Sequence, residues 1–271
     1  MELEYKILDE VSNEIKENRK VALVTITKVQ GSSPRKEGSM MGVKEDGSIF
    51  GTIGGGKLEL VATKWAEKCM MNRKDETFHF KLNDEEGSLH MQCGGEVEVF
   101  IKVFSPPHKL MIVGGGHIAL KLYELSRTLG FYSVIFEDRE EFCNKERFPE
   151  ADELKIGDIE ELLSEYSIND NCYVVIVTRG HKHDEIALRA VIESDAKYIG
   201  MIGSKNKTKY VRDNLIKSGM SNDLIDKVYA PIGIGLGGET PEEIAFSIMA
   251  EILLVKNQGK LRHMKDVKST D

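Results

Sequence analysis

An α/β fold of two modules is expected, a doubly wound parallel sheet preceded by a smaller α+β domain, and three observations predict it. The first is the run Met111-Ile-Val-Gly-Gly-Gly-His-Ile-Ala119, an apolar strand that breaks into glycines at the start of a helical pattern. The second is Phe131-Tyr-Ser-Val-Ile-Phe-Glu-Asp138, a strand ending in carboxylates. Strand, glycine turn, helix, strand and acid in this order form the Rossmann arrangement. Gly114 makes the tight turn, Gly116 lets the backbone approach a pyrophosphate, and small Ala119 permits close helix packing. The helix then presents unpaired N–H groups, His117 first, and a favourable dipole to the anion. Asp138, ahead of Glu137, is expected to accept from a ribose 2′-hydroxyl and to repel the 2′-phosphate of NADP. The third observation is length: 271 residues suit two domains, and the glycine turn begins well inside the chain.

The first module, residues 1–105, opens on an amphipathic helix with Leu3, Ile7, Leu8, Val11 and Ile15 at core spacing. Val21 to Val29 is a β-branched, apolar strand that runs into the turn-forming segment Gln30-Gly-Ser-Ser-Pro-Arg35. Segments 38–43 and 48–53 flank Glu45, Asp46 and Gly47 as a hairpin. The hairpin leads to Gly54, Gly55 and Gly56, after which Leu58, Val61, Ala62 and Trp65 mark a helix. Glycines between a strand and a helix allow close backbone approach, and the helix start adds anion affinity, so this turn suits a phosphate or a pterin-like ligand. Glu76 to Leu82 and Val97 to Phe104 read as strands that complete the sheet. The irregular loop between them holds Met91-Gln-Cys-Gly-Gly95. Cys93 is there either a metal- or sulfur-handling thiol or a buried small residue. Cys69, Cys143 and Cys172 fall in regular patterns and read as core.

Ser105-Pro-Pro-His108 is the expected joint, because consecutive prolines do not continue a sheet ladder. In the second module, residues 106–271, strands at 152–156, 172–177 and 198–201 alternate with helices at 158–166, 184–193 and 205–217. Such alternation favours a parallel sheet with ligands beyond the carboxyl ends of its strands. Thr178-Arg-Gly-His181 and Gly203-Ser204 fall at such ends, so Arg179, Gly180, His181, Gly203 and Ser204 are expected to line the nucleotide crevice. His181, His183 and Asp184 lack a clear metal-ligand pattern, and Asp184 reads as a polar cap at a helix start. Pro231 to Glu239 is glycine-rich, and Thr240, Pro241 and Glu243 form a capping-box start for the last helix. Residues 260–271 read as a solvated tail.

A formal net charge of −8 and a pI near 5.5 argue against a general nucleic-acid surface. No apolar run approaches the about 20 residues of a membrane span, and charge from Glu2 onward does not fit a secretory signal. Four widely spaced cysteines fit a reducing compartment, so a cytoplasmic protein is expected.

The ordered set of motifs resembles the XdhC/CoxI family of accessory proteins for molybdenum hydroxylases such as xanthine dehydrogenase. It runs Gln30–Arg35, Ile53-Gly-Gly-Gly56 with Glu59, Gln92-Cys-Gly-Gly95, Val113-Gly-Gly-Gly-His117, Thr178–His181, Gly200-Met-Ile-Gly-Ser204 and Glu239-Thr-Pro-Glu-Glu243. Departures are small: Ser39 stands where alanine is common, and Gly237-Gly238 where Gly-Ala is usual. The resemblance implies a cytosolic, usually dimeric chaperone more than a catalyst. Such a protein binds molybdenum cofactor, protects it while a cysteine desulfurase installs the sulfido ligand, and delivers it to an apo-hydroxylase. Carried onto this chain, the cofactor set is Gly31, Ser32, Ser33, Arg35, Gly54, Gly55, Gly56, Glu59, Cys93, Gly94 and Gly95. Cys93 becomes the favoured contact to molybdenum or its cofactor, while the second module is read from its own glycine turn and Asp138 as a site for NAD or a related adenine nucleotide. The pterin phosphate and soft dithiolene fit N–H-rich turns, a guanidinium and one thiolate. Two other readings use the same residues: an NAD-dependent oxidoreductase with His181 as acid–base group, and a nucleotide-sensing interaction protein.

Overall fold

The computed structural model describes residues 2–17, 19–31, 33, 35–81 and 95–266, and the chain divides into two compact units, Met1–Pro106 and Pro107–Asp271. The first unit is an antiparallel sheet with two helices. Its strands are β1 (Val21–Gln30), β2 (Met40–Lys44), β3 (Ile49–Gly51), β4 (Glu76–Lys81) and β5 (Glu96–Phe104), in the order β3-β2-β1-β5-β4. The long β1 sits in the centre because it is the most continuously β-branched and apolar segment of the unit. The expected hairpin is present, with Met41 opposite Gly51 and Val43 opposite Ile49.

Helix α2 (Gly56–Asn72) covers one face of this sheet. Leu58, Ala62, Ala66 and Cys69 pack on Ala22, Val24, Ile26, Val97, Val99 and Ile101, all of them buried. Helix α1 (Glu2–Lys16) contributes a narrower stripe than its sequence pattern implies. Ile7 and Val11 are buried, whereas Leu8 is 50% and Ile15 39% exposed. The third position of the stripe is Glu14, buried between Arg19 (2.6 Å) and Lys44 (2.9 Å). The hydrogen bond from Arg19 is the main reason its carboxyl is held down to about 2, against the opposing effect of burial.

The second unit is a five-stranded parallel sheet built from β6 (Lys109–Val113), β7 (Tyr132–Glu137), β8 (Glu153–Ile156), β9 (Cys172–Ile176) and β10 (Tyr198–Met201). The order is β10-β9-β6-β7-β8. The chain runs outward from β6 through β7 to β8, then returns to the other side of β6 for β9 and β10, which puts the topological switch point between β6 and β9. Both faces are covered, as parallel sheets require. One face meets α3 (His117–Thr128) and α8 (Pro241–Lys256), through Ala119, Leu122, Ala245, Ile248 and Ile252. The other meets α4 (Ile159–Glu165), α5 (His181–Val191) and α6 (Lys205–Lys217), through Leu163, Ala187, Leu188, Val211 and Leu215.

The capping box of α8 is complete. Thr240 Oγ1 accepts from the Glu243 amide at 3.3 Å while the Glu243 carboxylate accepts from the Thr240 amide at 3.1 Å. A one-turn helix, α7 (Asn222–Ile225), follows α6 and is absent from the sequence reading. Its cap is Ser221, whose hydroxyl accepts from Leu224. Four residues carry too little periodicity to register as a helix. Among the described residues no helix is long and apolar enough to cross a membrane.

Candidate functional site

In the first unit, strand register brings the motif-bearing connections to one end of the sheet. Gln30, at the end of β1, pairs with Glu96 at the start of β5, and Glu96 pairs in turn with Lys81 at the end of β4. Met40 opens β2 beside Thr25, and Gly51 closes β3 beside Met41. The connections 31–39, 52–56 and 82–95 therefore all leave from or return to this end, where α2 also begins. Gly31 has φ +79°, Arg35 is exposed, and Gly95 is buried next to β5. The hydroxyl of Ser33 is buried and has no hydrogen-bond partner among the described residues. Ser32, Cys93 and Gly94 lie outside the described residues.

The glycine turn before α2 is organised from within. Glu59 Oε1 accepts from the Thr52 hydroxyl (2.5 Å), the Ile53 amide (3.1 Å) and the Gly55 amide (2.9 Å), and the Gly54 amide donates to Thr52 Oγ1 at 3.2 Å. Burial acts to raise the Glu59 carboxyl, but these donors outweigh it and leave it below the ordinary carboxylate range. The amides of residues 53, 54 and 55 are thus already satisfied within the chain, and a carboxylate occupies the positive end of the helix. The three glycines have no side-chain acceptor of their own; the acceptor is four residues on from Gly55, in the helix's own first turn.

In the second unit the glycine turn shows a division of labour. Gly114 has φ +113°, and a Cβ there would stand 2.6 Å from the Val177 carbonyl oxygen. A Cβ on Gly115 would collide with the Phe142 carbonyl. Gly116 has ordinary extended geometry, caps α3, and would meet nothing within 4 Å. Thus Gly114 and Gly115 are demanded by packing, and Gly116 alone keeps an open approach to the helix end. That end has no side-chain cap and no acidic residue in its first turn, and exposed His117 is its first residue. Ala119 is fully buried against the sheet.

The two acids after β7 behave differently. Glu137, 4% exposed, points at the turn and accepts from the Gly115 amide at 2.7 Å. It also takes the Asp138 amide (3.2 Å) and two bonds from Arg139 (2.9 and 3.2 Å). Burial pushes its carboxyl up, yet Arg139, the Asp138 side chain and the Gly115 amide hold it down to about 2. Asp138 is further out and accepts from Arg179 Nη2 at 2.8 Å. Its carboxyl lies above its usual range, chiefly through the hydrogen bond with Glu137 and then burial, opposed by Arg179. Arg139 lies over the Phe142 ring (3.9 Å), and Arg147 Nε donates to the Gly115 carbonyl at 2.9 Å. Sequence reasoning missed both arginines; Arg139, adjacent to the acid pair, was the legible one.

The β9 and β10 ends lie on the far side of β6. Helix α5 starts at His181, three residues before the sequence pattern implies, and its cap is Gly180. Asp184 is therefore inside the first turn and not the cap: fully buried, it takes the Thr178 hydroxyl (2.5 Å) and amide (3.2 Å) and ion-pairs with Lys207 of α6. His181 is exposed, edge-on to Tyr210, and His183 contacts Arg179 at 3.2 Å. Ser204 caps α6 by accepting from the Lys207 amide, and a Cβ on Gly203 would press on the Lys207 side chain at 2.9 Å. Lys207 is a further residue that the sequence reading passed over. Cys69, Cys143 and Cys172 are buried free thiols, and burial pushes Cys143 up to about 11. Among the described residues no group of three or more His, Cys, Asp or Glu is placed to hold a metal ion.

These two arrangements match known sequence families. The XdhC Rossmann domain matches residues 110–252, and the XdhC and CoxI family matches residues 14–81. The uncharacterized protein YqeB of Escherichia coli is 32% identical over 258 residues, covering 93% of this chain and 47% of the relative. A probable xanthine dehydrogenase subunit of Bacillus subtilis is 31% identical over 160 residues, 59% of this chain and 46% of the relative. The chain spans about half the length of these two curated relatives. The molybdenum cofactor insertion chaperone PaoD of Escherichia coli is 21% identical over 284 residues, covering 86% of this chain and 83% of that protein.

Proposed function

The chain belongs to the XdhC and CoxI family, and from that premise we propose that it is a cytoplasmic maturation factor for a molybdenum hydroxylase such as xanthine dehydrogenase. Residues 1–105 bind molybdenum cofactor, hold it while a cysteine desulfurase supplies the terminal sulfido ligand, and release it to the apo-hydroxylase. Residues 106–271 bind NAD or a related adenine nucleotide. The protein acts as a homodimer.

The observation that carries the cofactor reading is the convergence, at one end of the antiparallel sheet, of the connections bearing Gly31 to Arg35 and Gly54 to Gly56 with the strand ends that flank Cys93. The Ser33 hydroxyl, without a partner among the described residues, and the exposed Arg35 fit a phosphate-bearing pterin. Cys93 supplies the soft donor that a high-valent molybdenum favours, and serine is a harder, mostly protonated substitute. The printed name of PaoD supports the same reading. Glu59 belongs to this site as the group that shapes the Gly54 to Gly56 turn. The nucleotide reading is supported by the open Gly116 and the uncapped α3. Gly114 and buried Ala119 shape that turn, and His117, Asp138, Arg179, Gly180, His181, Gly203 and Ser204 are assigned to the same site.

Anaerobic purification followed by molybdenum and pterin analysis tests the first assignment. The wild-type chain should carry or take up cofactor. Cys93→Ser should lose most of it, together with the ability to activate an apo-hydroxylase, and keep its fold and nucleotide binding. Stoichiometric cofactor and full activation in Cys93→Ser would show that the thiol has no such role.

A further inference from the structure

The Arg179–Asp138 pair has a placement that its strength does not explain. Asp138 follows β7 and Arg179 lies just beyond β9, and these are the strands on either side of β6. Two strand spacings separate their ends, about 10 Å. The 2.8 Å bond between the two side chains therefore spans the carboxyl end of β6, from which the Gly114 to Gly116 turn leaves. An adenine dinucleotide on this turn would lay its phosphates at the start of α3 and its ribose beside the end of β7, the two places that this ion pair joins.

Neighbouring groups are fixed, and that singles out this pair. Glu137 accepts four hydrogen bonds, two on each oxygen, which fills the capacity of a carboxylate. It has no acceptor site left for a ribose hydroxyl. Arg139 is held by Glu137 and by the Phe142 ring, and Arg147 by the Gly115 carbonyl. Asp138 is the more exposed acid: it accepts from Arg179, its Oδ1 lies 3.7 Å from Arg139, and its carboxyl also meets that of Glu137. Arg179 is 42% exposed, held by Asp138 and by a contact to His183 Nε2. Exposed pairs of this kind shift equilibria by about fivefold or less, so this pair opens at small cost.

We propose that Arg179 exchanges partners on nucleotide binding, leaving Asp138 for the phosphates and releasing Asp138 to accept from the ribose, so that the site selects ligands carrying a pyrophosphate and a ribose diol together. The inference rests on the nucleotide reading of the second unit and identifies what that site recognises. A nucleoside reaches Asp138 only in competition with Arg179, whereas a nucleotide diphosphate supplies the guanidinium with a better, bidentate acceptor.

Calorimetry of the full chain with adenosine, ADP and ADP-ribose, on wild type and Arg179→Ala, tests it. ADP and ADP-ribose should bind the variant about ten- to a hundredfold more weakly, the usual consequence of losing a charged hydrogen bond. Adenosine should bind the variant as well as wild type or up to about fivefold more tightly, because Asp138 no longer has a competitor. Asp138→Asn should weaken all three ligands. A loss for adenosine equal to that for ADP-ribose, or no change for either, would overturn the exchange while leaving a nucleotide site in place. No binding of any of the three to the wild type would remove the nucleotide reading itself, and the exchange with it. Thermal unfolding of Arg179→Ala within a degree or two of wild type confirms that the exposed guanidinium is not needed for folding.

Discussion

The two glycine turns of this protein look alike in sequence and differ in electrostatics. Each follows a strand, contains three consecutive glycines and opens a helix, and in each a carboxylate accepts from a turn amide. In the first unit that carboxylate is Glu59, from the first turn of the helix the glycines introduce, so it satisfies amides of the turn and places a negative charge at the positive end of α2. In the second unit it is Glu137, from a neighbouring strand, and its charge is balanced by Arg139. Helix α3 keeps an acid-free first turn and an open Gly116. The first helix start is therefore neutralised by a carboxylate of its own, whereas the second keeps its positive end free of an acid from its own first turn.

Removing the two carboxylates should separate the turns most widely. Glu137→Ala leaves the buried Gly115 amide without an acceptor and Arg139 with only the more distant Asp138 and the Phe142 ring, a change that costs roughly 2–3 kcal/mol. Denaturant unfolding monitored on the second unit should show it. Glu59→Ala removes a capping acceptor at a partly exposed helix start, which costs about 1 kcal/mol. Equal costs would erase the distinction. The Glu137 contribution also has a defined pH window. Its folded value, about 2, lies below its ordinary 4.5, so its stabilisation is fully present above pH 4.5 and disappears as pH falls toward 2. The stability gap between wild type and Glu137→Gln should narrow over that interval.

The glycines of the second turn give the next contrast. Gly115→Ala drives a methyl into the Phe142 carbonyl, which stands on backbone that cannot swing aside, and the expected loss is roughly 1–3 kcal/mol. At Gly116 an added Cβ meets no atom within 4 Å, so Gly116→Val should cost no more than the roughly 1 kcal/mol of a poorer helix cap, yet it fills the approach to the helix end and should abolish nucleotide binding in calorimetry. Comparable destabilisation by both substitutions would mean that Gly116 is held by packing as well.

Most of the fold was legible because its signals are local. Alternating apolar runs mark the strands, the capping box marks Thr240 as the start of α8, and Gly114, Gly116 and Ala119 carry a pattern with a mechanical reason at each position. What escaped depends on contacts between segments distant in sequence. Nothing near Asp184 announces that Thr178 and Lys207 will enclose it, and the early start of α5 is marked by Gly180, its cap four residues beyond the end of β9. Leu8 and Ile15 fit the helical stripe as well as Ile7 and Val11 do, and only the pairing of Glu14 with Lys44 of β2 shows which stripe faces the sheet. The same limit applies to the carboxylates. Sequence order favours Asp138 over Glu137, but the buried, saturated state of Glu137 follows from its position against the Gly115 amide and Arg139.

The smallest expected effect tests the electrostatic half of the comparison. Glu59→Gln keeps a side-chain oxygen that accepts from Thr52 and the turn amides, and it removes the negative charge facing the start of α2. Its cost at neutral pH should be below that of Glu59→Ala, a few tenths of a kcal/mol up to about 1. Because the folded carboxyl lies below its ordinary value, the charge stabilises above pH 4.5 and ceases to do so as pH falls through the lowered value. Wild type and Glu59→Gln should therefore converge in stability in acid and separate as pH rises. The same substitution should raise the affinity of the first unit for inorganic phosphate, since the helix end is no longer neutralised from within. Stronger phosphate binding by Glu59→Gln, with no comparable gain when the same negative charge is removed elsewhere on α2, as in Glu67→Gln, would locate the effect at the turn. Unchanged phosphate binding would mean that Glu59 orders the glycines without controlling what they attract.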